Sequence, residues 1–125
     1  MGNVNKAKGT AFETATIKYL RGRGFKNVYR PATKGKYDTG DINGISNGGT
    51  RQAIIQNKNA KTFKLAEWLK GAQEQASQEE VTEALPAVPA VLFKRPGVGF
   101  TRMGEQYVLM TFEEFVTLLS EAGYT

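Results

Sequence analysis

Two short segments of the sequence carry oxygen-bearing and cationic side chains at a spacing that suits metal-dependent chemistry. The first is Gly40-Asp41-Ile42, and the second is Gln56-Asn57-Lys58, which ends the apolar run Ala53-Ile54-Ile55 fifteen residues after the acid. An acid on one short strand, with a polar ligand and a lysine closing the next, can hold a divalent cation against a phosphodiester and attack it with water. The pattern predicts a phosphodiester-hydrolysing site.

Each polar group of these segments has a predicted role. Asp41 is the expected carboxylate ligand, because a hard cation needs an anionic oxygen, although turn and strand-edge aspartates are common. Gln56 can add its amide oxygen, a weaker ligand than a carboxylate, or can simply face solvent. The backbone carbonyl of Asn57 is a further possible ligand. Lys58 shares a strand face with Gln56 and can orient water or stabilise charge on phosphorus, unless it is an ordinary surface lysine.

A further acidic residue lies on the first predicted helix, which covers Thr10 to Arg21. Glu13 shares a helical stripe with Ile17 and Leu20, so it is expected at the border of the buried face. It can bind the metal through water or act as the base for the nucleophile, and so make up the charge that Gln56 lacks. The alternative is a capping or surface glutamate.

Composition restricts the possible chemistry. The length of 125 residues indicates one domain, 1–125. The 17 Lys and Arg residues against 12 Asp and Glu give a net charge of +5, which favours an anionic partner such as nucleic acid. The chain has no cysteine and no histidine, so thiolate zinc sites and imidazole catalysis are excluded and magnesium, manganese or calcium remain. Without an apolar stretch near the ~20 residues of a membrane span, or a signal-like N-terminus, a cytoplasmic protein is expected.

The order of predicted elements indicates an α/β fold. Apolar periodicity and turn residues predict, in order, a helix over Thr10–Arg21, strands over Phe25–Arg30, Asp41–Ser46 and Gln52–Asn57, a helix over Lys64–Glu83, strands over Val88–Arg95 and Tyr107–Met110, and a final helix capped by Thr111. Polar loops are expected over Lys34–Thr39 and Gly97–Gly104. This order implies a single domain with a central mixed sheet of about five strands flanked by helices.

Two local patterns refine this prediction. The turn Asn47-Gly48-Gly49 joins the second and third strands as a hairpin, so Asp41 should lie near Gln56. In the last helix Glu114 completes a capping box, and an apolar face is made by Phe112, Phe115, Val116 and Leu119.

Cationic residues concentrate in the first third of the chain and around the second helix. They predict a phosphate-binding surface, although they can also be ordinary solubilising charges. Arg30 is singled out because it comes just before the predicted loop Lys34–Thr39, which leads to Asp41. Trp68 can stack on exposed bases, or can serve a helix or dimer interface. The predicted contacts are Lys6, Lys8, Arg21, Arg23, Arg30, Lys34, Lys36, Lys61, Lys64 and Trp68.

These motifs together resemble the restriction-endonuclease-like superfamily, and within it the archaeal-type Holliday junction resolvases and their phage relatives. The resemblance rests on Lys8-Gly9-Thr10-Ala11-Phe12-Glu13, Arg30-Pro31-Ala32, Asp41-Ile42 and Gln56-Asn57-Lys58, and more loosely on Val91–Gly97 and Tyr107–Leu119. One departure from the family pattern is glutamine at position 56, where glutamate is usual.

The resemblance implies a homodimer that binds four-way DNA and cuts paired strands with magnesium or manganese, in a bacterial or phage-infected cell. It carries over Glu13, Asp41, Gln56 and Lys58 as active-site positions. Substrate preference varies among such nucleases, so likeness of fold does not decide between junction, flap, nick and duplex. A noncatalytic DNA-binding module and an RNA- or protein-binding structural domain are the alternatives.

Overall fold

A computed structural model describes residues 2–31 and 41–125, with side chains for all of these except 2–7, 41 and 82. The elements are α1 (Gly2–Gly22), β1 (Asp41–Ser46), β2 (Gln52–Lys58), α2 (Leu65–Glu83), β3 (Ala87–Phe93), a 3₁₀ helix (Phe100–Glu105), β4 (Tyr107–Leu109) and α3 (Phe112–Glu121). The strands form one mixed sheet in the order β1-β2-β3-β4. Its central pair is parallel and its outer pairs are antiparallel, so the predicted α/β class with a mixed sheet is confirmed.

Helices cover both faces of this sheet. On one face α2 connects the parallel strands β2 and β3, and its Trp68 and Ala72 pack on Val91 and Phe93 of β3. On the other face α1 and the 3₁₀ helix pack against the sheet in a cluster that includes Phe12, Leu92 and Met103. Because β3 is buried between the two layers, its side chains are apolar on both faces, as expected for a central strand.

The predicted strand over Phe25–Arg30 is wrong in extent. Among the described residues this segment makes one bridge, between Tyr29 and Asn43, whose backbone N–H groups each donate to the other's carbonyl at 2.9 Å. The neighbouring strand β1 shifts register between Ile42 and Ile45, where Gly44 has φ +89°. This bulge belongs to the ladder between β1 and β2, where Asn43 and Gly44 have no partner in the register. The described sheet has four strands and not five.

The other predicted elements are found with small changes of boundary. The hairpin of β1 and β2 is confirmed, and β2 continues one residue further than predicted, to Lys58. The helix α1 begins at Gly2, well before its predicted start. The predicted loop Gly97–Gly104 contains most of the 3₁₀ helix, whereas Lys34–Thr39 lies outside the described residues. None of the described helices has the length and apolar character needed to cross a membrane.

The last helix, α3, carries the predicted cap but does not bury its apolar face. Thr111 Oγ1 accepts a hydrogen bond from the Glu114 N–H at 3.2 Å, and the Glu114 carboxylate accepts one from the Thr111 N–H at 3.4 Å. The side chain of Phe112 is 79% exposed, and none of the helix residues is buried. An ion pair of 2.9 Å between Arg51 and Glu121 links the helix to the β1–β2 turn.

Candidate metal and nucleic-acid site

The β1–β2 hairpin places the two predicted metal-binding positions opposite each other. Asp41 is the Cα partner of Gln56 in the antiparallel register. Residues directly opposite in such a pair have Cα atoms about 4.5–5.5 Å apart, which is within the reach of two ligands of one ion. The predicted proximity of these positions is confirmed for the backbone, and the Asp41 side chain lies outside the described part of the chain.

Gln56 presents a buried amide oxygen beneath α2. The residue is 5% exposed, and its Oε1 lies 3.6 Å from the place that a Cβ on Gly71 of α2 would occupy. Among the described residues this oxygen has no hydrogen-bond partner. A buried acceptor left in this state costs about 1–3 kcal/mol, so a cation or a donor beside it is favourable. Magnesium binds oxygen ligands, and the Gln56 amide oxygen opposite the Asp41 position is of the type that it requires.

Lys58 ends β2 two residues after Gln56 and is half-buried. Strand alternation places it on the same face as Gln56, as predicted. Its register partner on β3 is Phe93, and its carbonyl accepts a hydrogen bond from the Lys94 N–H at 3.0 Å. The backbone positions of Ile54 and Lys58, the two neighbours of Gln56 on this face, are thus both set by pairing with β3.

Trp68 is buried beside this face, so its predicted stacking on bases is wrong. Its side chain is 7% exposed, and its ring lies 6.0 Å from Phe93 and 5.8 Å from Phe63, measured between centroids. The residue contributes to the helix–sheet core, where its ring is packed against protein side chains. The flanking Lys61 and Lys64 are exposed, as a phosphate contact requires.

Asn57 turns the other way and connects β2 to α1. Its Nδ2 donates to Thr16 Oγ1 at 2.8 Å, and Thr16 in turn donates to the Phe12 carbonyl at 2.9 Å. Thr16 is buried and was not singled out from the sequence, although its position four residues after Phe12 places it on the inward stripe of α1. The Asn57 side chain thus positions the strand, while the role of its backbone carbonyl as a ligand stays a prediction.

Glu13 forms an ion pair with Arg30. The carboxylate Oε2 lies 2.8 Å from the guanidinium Nε, and Glu13 is 7% exposed. Two residues predicted to act separately, one as base and one as phosphate contact, are therefore joined. Glu13 belongs to α1, which packs on the sheet face opposite to α2. Among the described side chains, which do not include that of Asp41, no three acidic residues form a metal-binding group.

The solvent-facing side of α1 is basic. Lys8, Arg21, Arg23 and Arg30 are exposed, as predicted for nucleic-acid contacts, whereas Lys34, Lys36 and the side chain of Lys6 lie outside the described part. A cleft of about 420 Å³ is lined by Thr14, Ile17, Lys18, Arg21, Tyr29 and Arg30.

Two details of this cleft extend the sequence prediction. Arg21 donates to the Val28 carbonyl at 3.1 Å, so it holds the segment that carries Arg30 against the helix. Lys18 was missed from the sequence, although its spacing from Thr14 and Arg21 is that of one helical stripe.

An ion pair between Arg102 and Glu105 lies on the 3₁₀ helix. The Arg102 guanidinium donates to the carboxylate of Glu105 at 2.6 and 2.7 Å. This hydrogen bond lowers the pKa of the Glu105 carboxyl and raises the pKa of Arg102. The charge of Arg102 is thus balanced locally by Glu105.

Comparison of the chain with family models, with curated proteins and with solved structures gives no match. The functional interpretation depends on the ordered motifs, on the register of Asp41 with Gln56, and on the basic surface of α1.

Proposed function

We propose that the protein is a metal-dependent, structure-selective DNA endonuclease that hydrolyses phosphodiester bonds, with the Holliday junction as its leading substrate. The observation that supports this most directly is the register of Asp41 with Gln56, whose buried Oε1 has no partner among the described residues. The order α1, hairpin, α2 and β3 agrees with the resemblance to restriction-endonuclease-like proteins. The basic surface of α1 supports an anionic substrate.

In this proposal each residue has a defined task. Magnesium, or manganese, would be held by Asp41, Gln56 and the Asn57 carbonyl, and when bound it activates water and polarises the scissile phosphate. Lys58 stabilises the negative charge that develops on the phosphoryl oxygens. Glu13 lies on the sheet face opposite to Gln56, so as a base for the attacking water, or as a ligand through water, it would have to act around the end of β2, with its carboxylate released by Arg30.

A homodimer is part of the proposal, and a surface for it is exposed. Tyr107 and Val108 lie on the edge strand β4, and Phe112, Phe115 and Val116 lie on α3, which follows it directly. These five residues are called the α3–β4 surface. Because β4 is at the edge of the described sheet, its exposed residues and the apolar face of α3 offer a surface that a second copy of the chain can cover through two-fold symmetry.

The experiment compares Asp41→Ala with a matched control, Glu113→Ala, which removes an exposed acid from α3. Labelled junction, flap, nicked, single-stranded and duplex DNAs are incubated with magnesium, manganese or chelator. We expect Asp41→Ala to lose at least about 100-fold in cleavage rate, the scale of one transition-state-stabilising group, and to keep binding in chelator. Glu113→Ala should cleave normally. Full activity of Asp41→Ala would show that the assigned site is wrong.

A second candidate function is noncatalytic DNA binding through a degenerate site. The observation that favours it is the neutral Gln56 at a position where a carboxylate would hold a cation more strongly. Gln56→Glu separates the two functions. In the nuclease it preserves or raises metal-dependent cleavage, whereas in a pure binding module it leaves the protein inert and weakens DNA binding through added negative charge.

A further inference from the structure

A cleft of about 850 Å³ lies between α1 and the 3₁₀ helix. This volume is in the range of cavities that take small organic ligands. Its lining is largely apolar and includes two aromatic residues, Tyr19 from α1 and Phe100 from the 3₁₀ helix. The predicted metal-binding positions do not contribute to it.

The two aromatic rings are held in place and still reach solvent. Phe100 stacks on the fully buried Phe12, with ring centroids 6.1 Å apart and planes 17° from parallel, yet it is 42% exposed. One face of its ring is therefore supported by the core while the remainder is open. Tyr19 is 41% exposed, and its hydroxyl lies 2.8 Å from the place that a Cβ on Gly104 would occupy. The glycine thus leaves room for this ring.

The rim of the cleft is cationic. Lys18 and Arg23 line it and are exposed, and no described residue of the lining is acidic. Lys18 also lines the neighbouring cleft that holds Arg21 and Arg30. Positive charge therefore runs without interruption from the proposed phosphate-binding surface to the aromatic cleft.

We propose that this cleft binds an unpaired nucleotide of a branched DNA substrate. The base stacks on the open parts of Phe100 and Tyr19, and its phosphates contact Lys18 and Arg23. Exposed aromatic rings beside cationic side chains are the means by which proteins hold unpaired bases without reading their sequence. Connection to the neighbouring basic cleft through Lys18 favours a nucleotide within a DNA strand over a free one. This inference rests on the proposed function for the identity of the polymer.

The test uses 2-aminopurine placed either at an unpaired flap position or within a duplex, with chelator present so that nothing is cut. Stacking on an aromatic ring should quench the flap probe upon binding. Phe100→Leu keeps an apolar contact with Phe12 and removes the aromatic face. It should lose the quenching and bind flap DNA roughly 10-fold more weakly, while duplex affinity changes little.

Lys18→Ala should weaken flap binding in the same direction. The matched control is Tyr124→Ala, which removes an exposed ring that lies after α3 and should leave the quenching unchanged. Unchanged quenching in Phe100→Leu, an equal loss in Tyr124→Ala, or binding of free deoxyadenosine monophosphate as tight as that of flap DNA would each overturn the proposal.

The outcome is separable from that of the proposed nuclease activity. Asp41→Ala should retain the quenching, because the catalytic position is not part of the cleft. If no DNA is cut under any condition while Phe100→Leu still abolishes quenching, the nuclease proposal fails and the cleft proposal stands. If DNA is cut but Phe100→Leu does not change the quenching, the nuclease proposal stands and the cleft proposal fails.

Discussion

The Nε atom of Arg30 lies 2.8 Å from Oε2 of Glu13, so the proposed phosphate contact and the proposed base neutralise each other. Glu13 is buried, whereas the Arg30 side chain is 36% exposed and remains accessible to an incoming phosphate. A DNA phosphate that binds Arg30 competes with the carboxylate for the same donor. The Glu13 carboxylate would therefore be released from Arg30 only when a DNA strand is bound.

The exchange of Arg30 between Glu13 and phosphate predicts opposite effects of two substitutions on binding. Glu13→Gln should abolish cleavage and bind junction DNA as tightly as the wild type or more tightly, because the guanidinium is no longer held by an anion. Arg30→Ala should weaken binding and leave a buried carboxylate without its cation, which lowers the free energy of unfolding by about 1–3 kcal/mol. Fluorescence anisotropy in chelator and urea unfolding measure the two effects. Weaker binding by Glu13→Gln would contradict the exchange.

The basic surface of α1 predicts strongly salt-dependent binding. Each phosphate contact removed should reduce the slope of log affinity against log salt concentration by about 1. Arg21→Ala and Lys18→Ala should each show this change in anisotropy titrations over a range of salt concentrations. Arg102→Ala is the control, because Arg102 is already paired with Glu105. An unchanged slope in the α1 variants would place the DNA elsewhere.

Gly44 is predicted to be indispensable for the packing of the segment before β1. Its φ is +89°, and a Cβ there would lie 2.0 Å from the Asn27 carbonyl oxygen, so Gly44→Ala must move backbone. We expect a loss of about 3 kcal/mol in the free energy of unfolding, measured with urea. Gly48→Ala is the matched control, since Gly48 also has positive φ, +79°, but has open space around it. Its loss should be about 1 kcal/mol. Equal losses would exclude a role for the close contact.

The α3–β4 surface predicts a concentration-dependent dimer. Phe115→Asp should shift the wild-type dimer to monomer in sedimentation velocity experiments, because it places a charge in an apolar interface. Val81→Asp on α2, where Val81 is 85% exposed, should leave the association unchanged. A wild-type protein that stays monomeric at high concentration would contradict the prediction.

Local sequence signals predicted the hairpin and its register, because turn residues and strand alternation act over short distances. The capping box of Thr111 and Glu114 is likewise local. The features that the sequence did not determine, such as the burial of a given side chain, depend on residues far away in the chain. The stripe that contains Leu65 and Leu69 also contains Trp68, yet stacking on nucleic acid and burial in the core remain equally compatible with its spacing.

The same limit applies to charged residues and to apolar helix faces. Glu13 could be placed at the border of a helix face, but its pairing with Arg30 follows from the path of the chain after α1. The predicted apolar face of α3 is present, but its burial depends on distant partners, and none of its residues is buried in the described chain. Among the described residues the predicted fifth strand makes a single bridge with β1, through Tyr29 and Asn43, and periodicity does not encode how closely the Asn27 backbone approaches Gly44.

The connectivity of the sheet also determines when the site assembles. Asp41 and Gln56 meet through a local hairpin, whose formation takes on the order of microseconds. The parallel pairing of β2 with β3 must wait for the 19-residue helix α2 to cross between them, and such non-local pairing is slow. During refolding the two ligand positions are therefore neighbours before α2 covers the Gln56 amide. Docking of that helix is the step that turns a solvated hairpin into a site.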